Sequence, residues 1–174
     1  MHPSQVRRGA VVALLSGGAA VAIAASAGGA TSHPAITATG VGPIKLGATA
    51  KSLQAKGLIG KLTTGCELAG PGTRAAAVKS FNGTVGFTMT KTRRVNVISV
   101  NGRGPRARGV EVGDTVADIR KAYKTVKVDK SLEDTFQGDF VRVPKKAGGP
   151  IGFFVNSKTG KIETIGVPNV PVCE

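Results

Sequence analysis

Three carboxylates, Glu133, Asp134 and Asp139, stand close together in the second half of the chain. Paired carboxylates can hydrolyse a glycosidic bond, one acting as acid and the other as base or nucleophile. With backbone carbonyls they can also hold calcium. A solvated loop is the simpler reading of so polar a stretch. The histidines, His2 and His33, both precede the segment expected to fold. That segment therefore offers no imidazole for a triad or a usual zinc site. No G-x-x-x-x-G-K-[ST] loop occurs, and Gly102-x-Gly104 leads into a linker rather than a helix. These absences argue for a chain that is not an enzyme and needs no cofactor. Tyr123 shares a helical face with Ile119 and reads as core, with its hydroxyl at the rim.

Cys66 and Cys173 are the only thiols, and they form no C-x-x-C. The N-terminus suggests where they reside. Arg7 and Arg8 precede a run of small apolar residues over 10–25, and Ala25-Ser26-Ala27 fits a small-residue cleavage site. Residues 1–27 thus read as a secretory signal peptide. The apolar run is shorter than the ~20 residues of a membrane span. The residues flanking the arginine pair fit the twin-arginine pattern poorly, so the general secretory route is favoured. An oxidising compartment and a single possible internal pairing lead us to expect a Cys66–Cys173 disulfide. Buried free thiols and an intermolecular bridge are the alternatives. Residues 28–38 read as a flexible leader, and the wealth of Ala and Gly before residue 40 suggests a bacterial source.

Charge is the strongest bulk signal. The chain carries 24 Lys and Arg against 10 Asp and Glu, a net charge of +14. Up to Gly104 the only acid is Glu67. Such a field draws in polyanions. Arg103, Arg106 and Arg108 form the densest cationic spot, among glycines that leave backbone N–H groups open. Lys91, Arg93 and Arg94 join them as candidates for an anion-binding rim if the strand after them returns to the same edge. Guanidinium suits phosphate and carboxylate by its fork geometry. A solvated hinge is the plainer alternative.

The elements that must position these side chains come as a repeat. Residues 42–53 align with residues 108–119 when Gly47 is set on Gly113, which also matches Thr49 with Thr115. Each copy reads as a strand end, a glycine turn and a helix capped by threonine. Asp118 takes the place of a capping-box partner. Strands come next. Val85, Phe87 and Met89 alternate on one face, as do Ile151, Phe153 and Val155. Asn82-Gly83 predicts a two-residue hairpin turn. The phase change between Val97 and Ile98 predicts a bulge or a strand buried on both faces. Residues 130–138 read as a loop. The divisions are a signal peptide over 1–27, a leader over 28–38, a first unit over 39–101, a Gly/Arg linker over 102–109 and a second unit over 110–174.

The motif apolar-x-apolar-Gly-x-Thr-x-x-x-apolar, opening a helix with a meander after it, resembles the tandem units of secreted β-lactamase inhibitor proteins. It is similar also to the small lipoproteins of outer-membrane assembly that share their fold. This chain has Ala48 and Asp114 where that family often has Met after the glycine. The resemblance implies an α+β fold of two tandem units, each a short helix followed by an antiparallel β-meander, packed as one domain. The signal segment, the missing catalytic groups and the charge together lead us to expect a secreted, non-catalytic binding module for an anionic envelope polymer or a secreted protein, monomeric and without a transmembrane span. Nucleic acid would bind such a chain in vitro but is not the partner expected outside a cell. Inhibition of a secreted enzyme is the alternative function.

Overall fold

Short apolar–polar alternations open the fold. In the computed structural model, which describes residues 33–66, 70–131 and 133–172, strands β1 (Ile36–Thr37), β2 (Gly40–Val41) and β3 (Ile44–Lys45) pair antiparallel as a small sheet of their own. The segment over 1–27 expected to be a signal peptide lies outside the described residues. The leader does not reach residue 38: Ile36 is apolar and buried, and its N–H donates to the carbonyl of Arg106 at 2.7 Å.

The chain turns at Gly47, whose φ of 81° lies in the left-handed region that favours glycine. Thr49 then caps helix α1 (Ala50–Ala55) by accepting the N–H of Ser52 at 3.2 Å. Ala50 and Leu53 are the buried positions of α1, and Gly57 ends it at a φ of 67°. Strands β4 (Thr63–Thr64), β5 (Arg74–Ala77), β6 (Gly83–Phe87) and β7 (Val95–Val100) come after it.

The second half opens the same way. Gly113 has a φ of 95°, and Thr115 caps helix α2 (Val116–Ala122). Here the cap is a complete box, because the Asp118 carboxylate accepts the Thr115 N–H at 3.0 Å. Strand β8 (Lys127–Asp129), the one-turn helix α3 (Glu133–Phe136), and strands β9 (Gly138–Val143), β10 (Ile151–Asn156) and β11 (Ile162–Val167) complete the chain. Helix α3 stands where a loop is predicted; the Lys130 carbonyl accepts the Glu133 N–H at 3.0 Å and starts the turn.

Strands β4 to β11 form one eight-stranded antiparallel sheet in the order β4-β5-β6-β7-β11-β10-β9-β8. The two halves meet at β7 and β11, where Ile98 pairs with Val167, Ser99 with Gly166 and Val100 with Ile165. One sheet face carries Val85, Phe87, Ile98, Val100, Val141, Phe153, Ile165 and Val167, all buried in a core that also takes in Leu53, Ile119 and Tyr123. The class is α+β. Among the described residues no helix is long and apolar enough to cross a membrane.

Corresponding contacts recur in the two halves. The Gly47 N–H donates to the carbonyl of Val95 at 2.8 Å, and the Val95 N–H returns to Ala48 at 2.8 Å. The Gly113 N–H donates to Ile162 at 2.8 Å, and the Ile162 N–H returns to Asp114 at 2.8 Å. Gly86 pairs with Val97 and Phe87 with Val95, which leaves Asn96 as the extra residue of a bulge. Phe154 and Val155 pair with Thr164 and Ile162, which leaves Glu163 extra. The first bulge thus falls just before the phase change at Val97, and Ser99 is buried as well, on the other face.

Two local readings need correcting. Asn82-Gly83 does not make a two-residue turn: the last hairpin pair is Ala77 with Thr84, and residues 78–83 connect them. Gly83 serves close approach instead, since a Cβ there would stand 2.2 Å from the Ser99 carbonyl oxygen. Met89 does not extend the buried face; β6 ends at Phe87 and Met89 is 62% exposed. The join at residues 102–109 is anchored, with Ala107 fully buried and Arg106 bridged to Ala35.

Candidate functional site

The join arginines do not face solvent as one free rim. Arg106 forms an ion pair with Glu111 at 3.4 Å, and the other Glu111 oxygen accepts the Gly104 N–H at 3.0 Å. That N–H bond, more than any other influence, holds the Glu111 carboxyl below its usual value. Partial desolvation opposes it, and Arg106, Arg103 and His33 add to it. Arg103 lies against the second glycine turn, where a Cβ on Gly113 would be 3.2 Å from its guanidinium. The glycines of the join therefore leave fewer open N–H groups than their number suggests.

Lys91, Arg93 and Arg94 sit in the turn before β7. The Arg94 Nη1 donates to the Gly47 carbonyl at 2.9 Å, and Arg93 occupies the left-handed region at a φ of 41°. Residues 101–109 leave from the other end of β7. A strand of six residues spans about 17–20 Å. The two basic groups therefore flank opposite ends of the sheet's central strand. Strand β7 itself is the cause, because the chain enters it from residues 91–94 and leaves it into residues 101–109.

Arg108 leads elsewhere. Its backbone is in the left-handed region, at a φ of 51°. Its guanidinium carbon stands 5.0 Å from the centre of the Tyr123 ring, a cation–π stack. Its Nη2 lies 2.6 Å from where a Cβ on Gly148 would be, so a side chain there would displace the guanidinium. Tyr123 is 2% exposed and meets Phe153 edge-on with ring centres 6.3 Å apart. Burial raises the Tyr123 phenol above its usual value, and the Arg108 charge opposes this in part. The phenol therefore stays neutral under Arg108 at physiological pH.

Around Arg108 runs a groove of about 860 Å³ whose charged lining residues are Arg108, Lys121, Lys124, Lys145 and Lys146. Lys121 belongs to the last turn of α2, and Lys124 comes just after that helix. Lys145 and Lys146 come from a single 3-10 turn, Lys145–Ala147, between Pro144 and the left-handed Gly148. Arg108 touches both elements. Among the described residues none of the five makes an ion pair with a carboxylate. A neighbouring hollow of about 410 Å³ shares Arg108 and Lys121 and takes in Asp114 and Asp118, so the acids lie beside the groove rather than in it. Of the five cations only Arg108 stands in the basic run of the join; the Lys145-Lys146 doublet follows Pro144 in a separate segment, and Lys121 and Lys124 stand at a helix end, where the macrodipole alone favours cations.

The carboxylates Glu133 and Asp139 are splinted by Lys130, at 3.3 and 3.4 Å. No group of three or more metal-ligating side chains occurs among the described residues. On the sheet face away from the core, Phe140 packs against Phe136 and Phe154, with ring centres 5.9 and 5.2 Å away. They line a shallow cavity of about 310 Å³ together with Val170, Pro171 and Val172. The tail crosses this face over Gly152 and Gly166, paired neighbours on β10 and β11. A Cβ on Gly166 would lie 2.2 Å from the Asn169 carbonyl oxygen, and one on Gly152 2.7 Å from the Val170 nitrogen. The tail brings the Val172 carbonyl to 3.4 Å from the Cys66 sulfur. Cys66 is not a free thiol, and Cys173 lies outside the described residues. No known family model matches this chain, nor does any curated protein or solved structure.

Proposed function

We propose that this chain is an exported, non-catalytic binding module that engages an anionic partner outside the cell. The observation that carries the reading is the groove around Arg108. It gathers five cations, none of them in an ion pair with a carboxylate, and stacks one of them on an aromatic ring. Cations placed so close repel one another, and an anion between them relieves that repulsion. Arg103 and Arg106 at one end of β7 and Lys91, Arg93 and Arg94 at the other supply long-range attraction, and the groove supplies the contact. An envelope polymer is the partner this suits best. The test is retention on immobilised heparin, used as a generic polyanion. The wild type should elute at clearly higher salt than the variant Lys121→Ser/Lys124→Ser/Lys145→Ser/Lys146→Ser. Co-elution of the two would remove the groove from the binding surface.

We also infer that the two halves are tandem copies packed as one domain, on the plan of the β-lactamase inhibitor proteins. The matching glycine clamps and the bulges at Asn96 and Glu163 support this. A disulfide from Cys66 to Cys173 fits the position of Val172 beside Cys66.

The second reading, an inhibitor of a secreted enzyme, draws on the cluster of Phe136, Phe140 and Phe154 on the open sheet face. Docking there would resist salt, whereas polyanion capture would not.

A further inference from the structure

Several features of the groove narrow the class of anion it can take, given that it binds an anion at all. A compact site for a single phosphate converges backbone N–H groups on it. Here three of the N–H groups at the groove are turned away to carbonyls: those of Ala147 and Gly149 donate to Pro144, at 2.9 and 3.2 Å, and that of Gly148 to Lys145 at 3.3 Å. Side-chain charge is spread along a groove of about 860 Å³, which suits a chain of anionic groups.

The cations also come from different elements: the end of α2, the 3-10 turn, and Arg108 in contact with both. A planar carboxylate presents its lone pairs in one plane. Phosphate oxygens are arranged tetrahedrally and can accept from several sides at once. Arg108 adds a planar fork whose orientation is set by the Tyr123 ring.

Bases are not provided for. Proteins that hold single-stranded nucleic acid stack its bases on exposed aromatic rings. The aromatic ring at this groove, Tyr123, is buried and covered by Arg108. A lipid surface is not provided for either, because the large hydrophobic residue exposed among those described, Met89, belongs to another part of the chain.

We propose that the groove binds a linear phosphodiester polymer that carries no bases, with Arg108 as the fixed fork and the four lysines as mobile counter-charges; this rests on the anion-binding role proposed for the groove. The phosphodiester units lie along the groove, and binding releases their condensed counterions.

The experiment is a calorimetric titration of the full chain at several salt concentrations. The probes are a synthetic glycerol-phosphate polymer, monomeric glycerol phosphate, polygalacturonate, a charge-matched single-stranded oligonucleotide, and phosphatidylglycerol vesicles. The glycerol-phosphate polymer should bind at least about tenfold tighter than each of the others, and the monomer should not saturate. Five contacts at about −0.7 each predict a slope near −3.5 for log affinity against log salt, or about a hundredfold loss from about 50 to about 200 mM. Arg108→Lys keeps the charge but removes the fork. It should leave the slope unchanged and bring the preference over polygalacturonate towards one. If that variant does not fold, Lys145→Ser/Lys146→Ser should flatten the slope by about 1.4.

Equal binding of polygalacturonate by the wild type would overturn the phosphodiester assignment and leave the anion-binding reading standing. Tighter binding of the oligonucleotide or of vesicles would overturn it in favour of that partner. No binding of any polyanion at low salt would end both readings. Unchanged preference in Arg108→Lys would overturn the role given to the fork.

Discussion

Replacing Phe153 by alanine tests how the sheet supports the groove. Phe153 is fully buried, pairs with Val141 on β9 and Ile165 on β11, and meets Tyr123 edge-on at 6.3 Å. Removing a buried phenyl ring costs about 3–5 kcal/mol, and the upper half of that range applies where neighbours cannot collapse into the hole. The neighbours here are strands locked in register on both sides. The ring pair with Tyr123 accounts for about 0.5–1.5 kcal/mol of the loss. Against a total stability of about 5–15 kcal/mol the variant should still fold but be visibly weakened. At about 2–4 °C per kcal/mol, its melting temperature should fall by about 8–20 °C. Urea unfolding followed by circular dichroism reads this as a lower midpoint with an unchanged slope. Because Tyr123 is the platform for Arg108, polyanion affinity should also fall at temperatures where the variant remains folded. A loss below about 1.5 kcal/mol, or full stability loss with affinity intact, would refute the chain of support from Phe153 through Tyr123 to Arg108.

Three other named contacts have measurable consequences. The folded state holds the Glu111 carboxyl below its ordinary value, so its contribution is present above the unfolded value and fades as pH falls through the folded one. Melting temperature should therefore drop less in Glu111→Gln than in the wild type between about pH 6 and about pH 3, and identical acid profiles would contradict this. Thr115→Ala should cost about 1–2 kcal/mol and Thr49→Ala less, because the Thr115 hydroxyl also donates to the Asp118 carboxylate at 2.7 Å; urea midpoints compare them. Thiol titration of the unfolded, unreduced monomer should find no free cysteine. Reduction should then cost roughly 4–5 kcal/mol, the loop-closure entropy of about a hundred residues, and two titratable thiols would contradict the pairing of Cys66 with Cys173.

Local chemistry made part of this fold legible in advance. Gly47 and Gly113 needed the left-handed region, Thr49 and Thr115 had the right side chain to cap, and Asp118 stood at the return position of the box. Ile151, Phe153 and Val155 declared a buried strand face by alternation alone. Features that depend on distant partners were not legible. Nothing near Ile98 or Val167 announces that β7 pairs with β11, and that antiparallel pairing sends the Gly47 and Gly113 turns to opposite ends of the sheet. Asn82-Gly83 looked like a tight turn because the constraint on Gly83, the Ser99 carbonyl, comes from a strand farther along the chain. Gly152 and Gly166 vacate the track along which Asn169 and Val170 run, a constraint that comes from the tail and not from their own strands. The groove escaped for the same reason. Arg108, the Lys121 and Lys124 pair and the Lys145-Lys146 doublet belong to three separate segments, and only Arg108 stood in a visibly basic run.

Amide chemical-shift mapping of the folded chain, during titration with the glycerol-phosphate polymer at low salt, would locate the binding surface residue by residue. The largest shifts should fall on residues 108, 121–125 and 144–148, with little change at residues 91–94 or on the open sheet face around Phe140 and Phe154. Shifts concentrated at residues 91–94 and 103–106, or on that open face, would contradict binding in the groove.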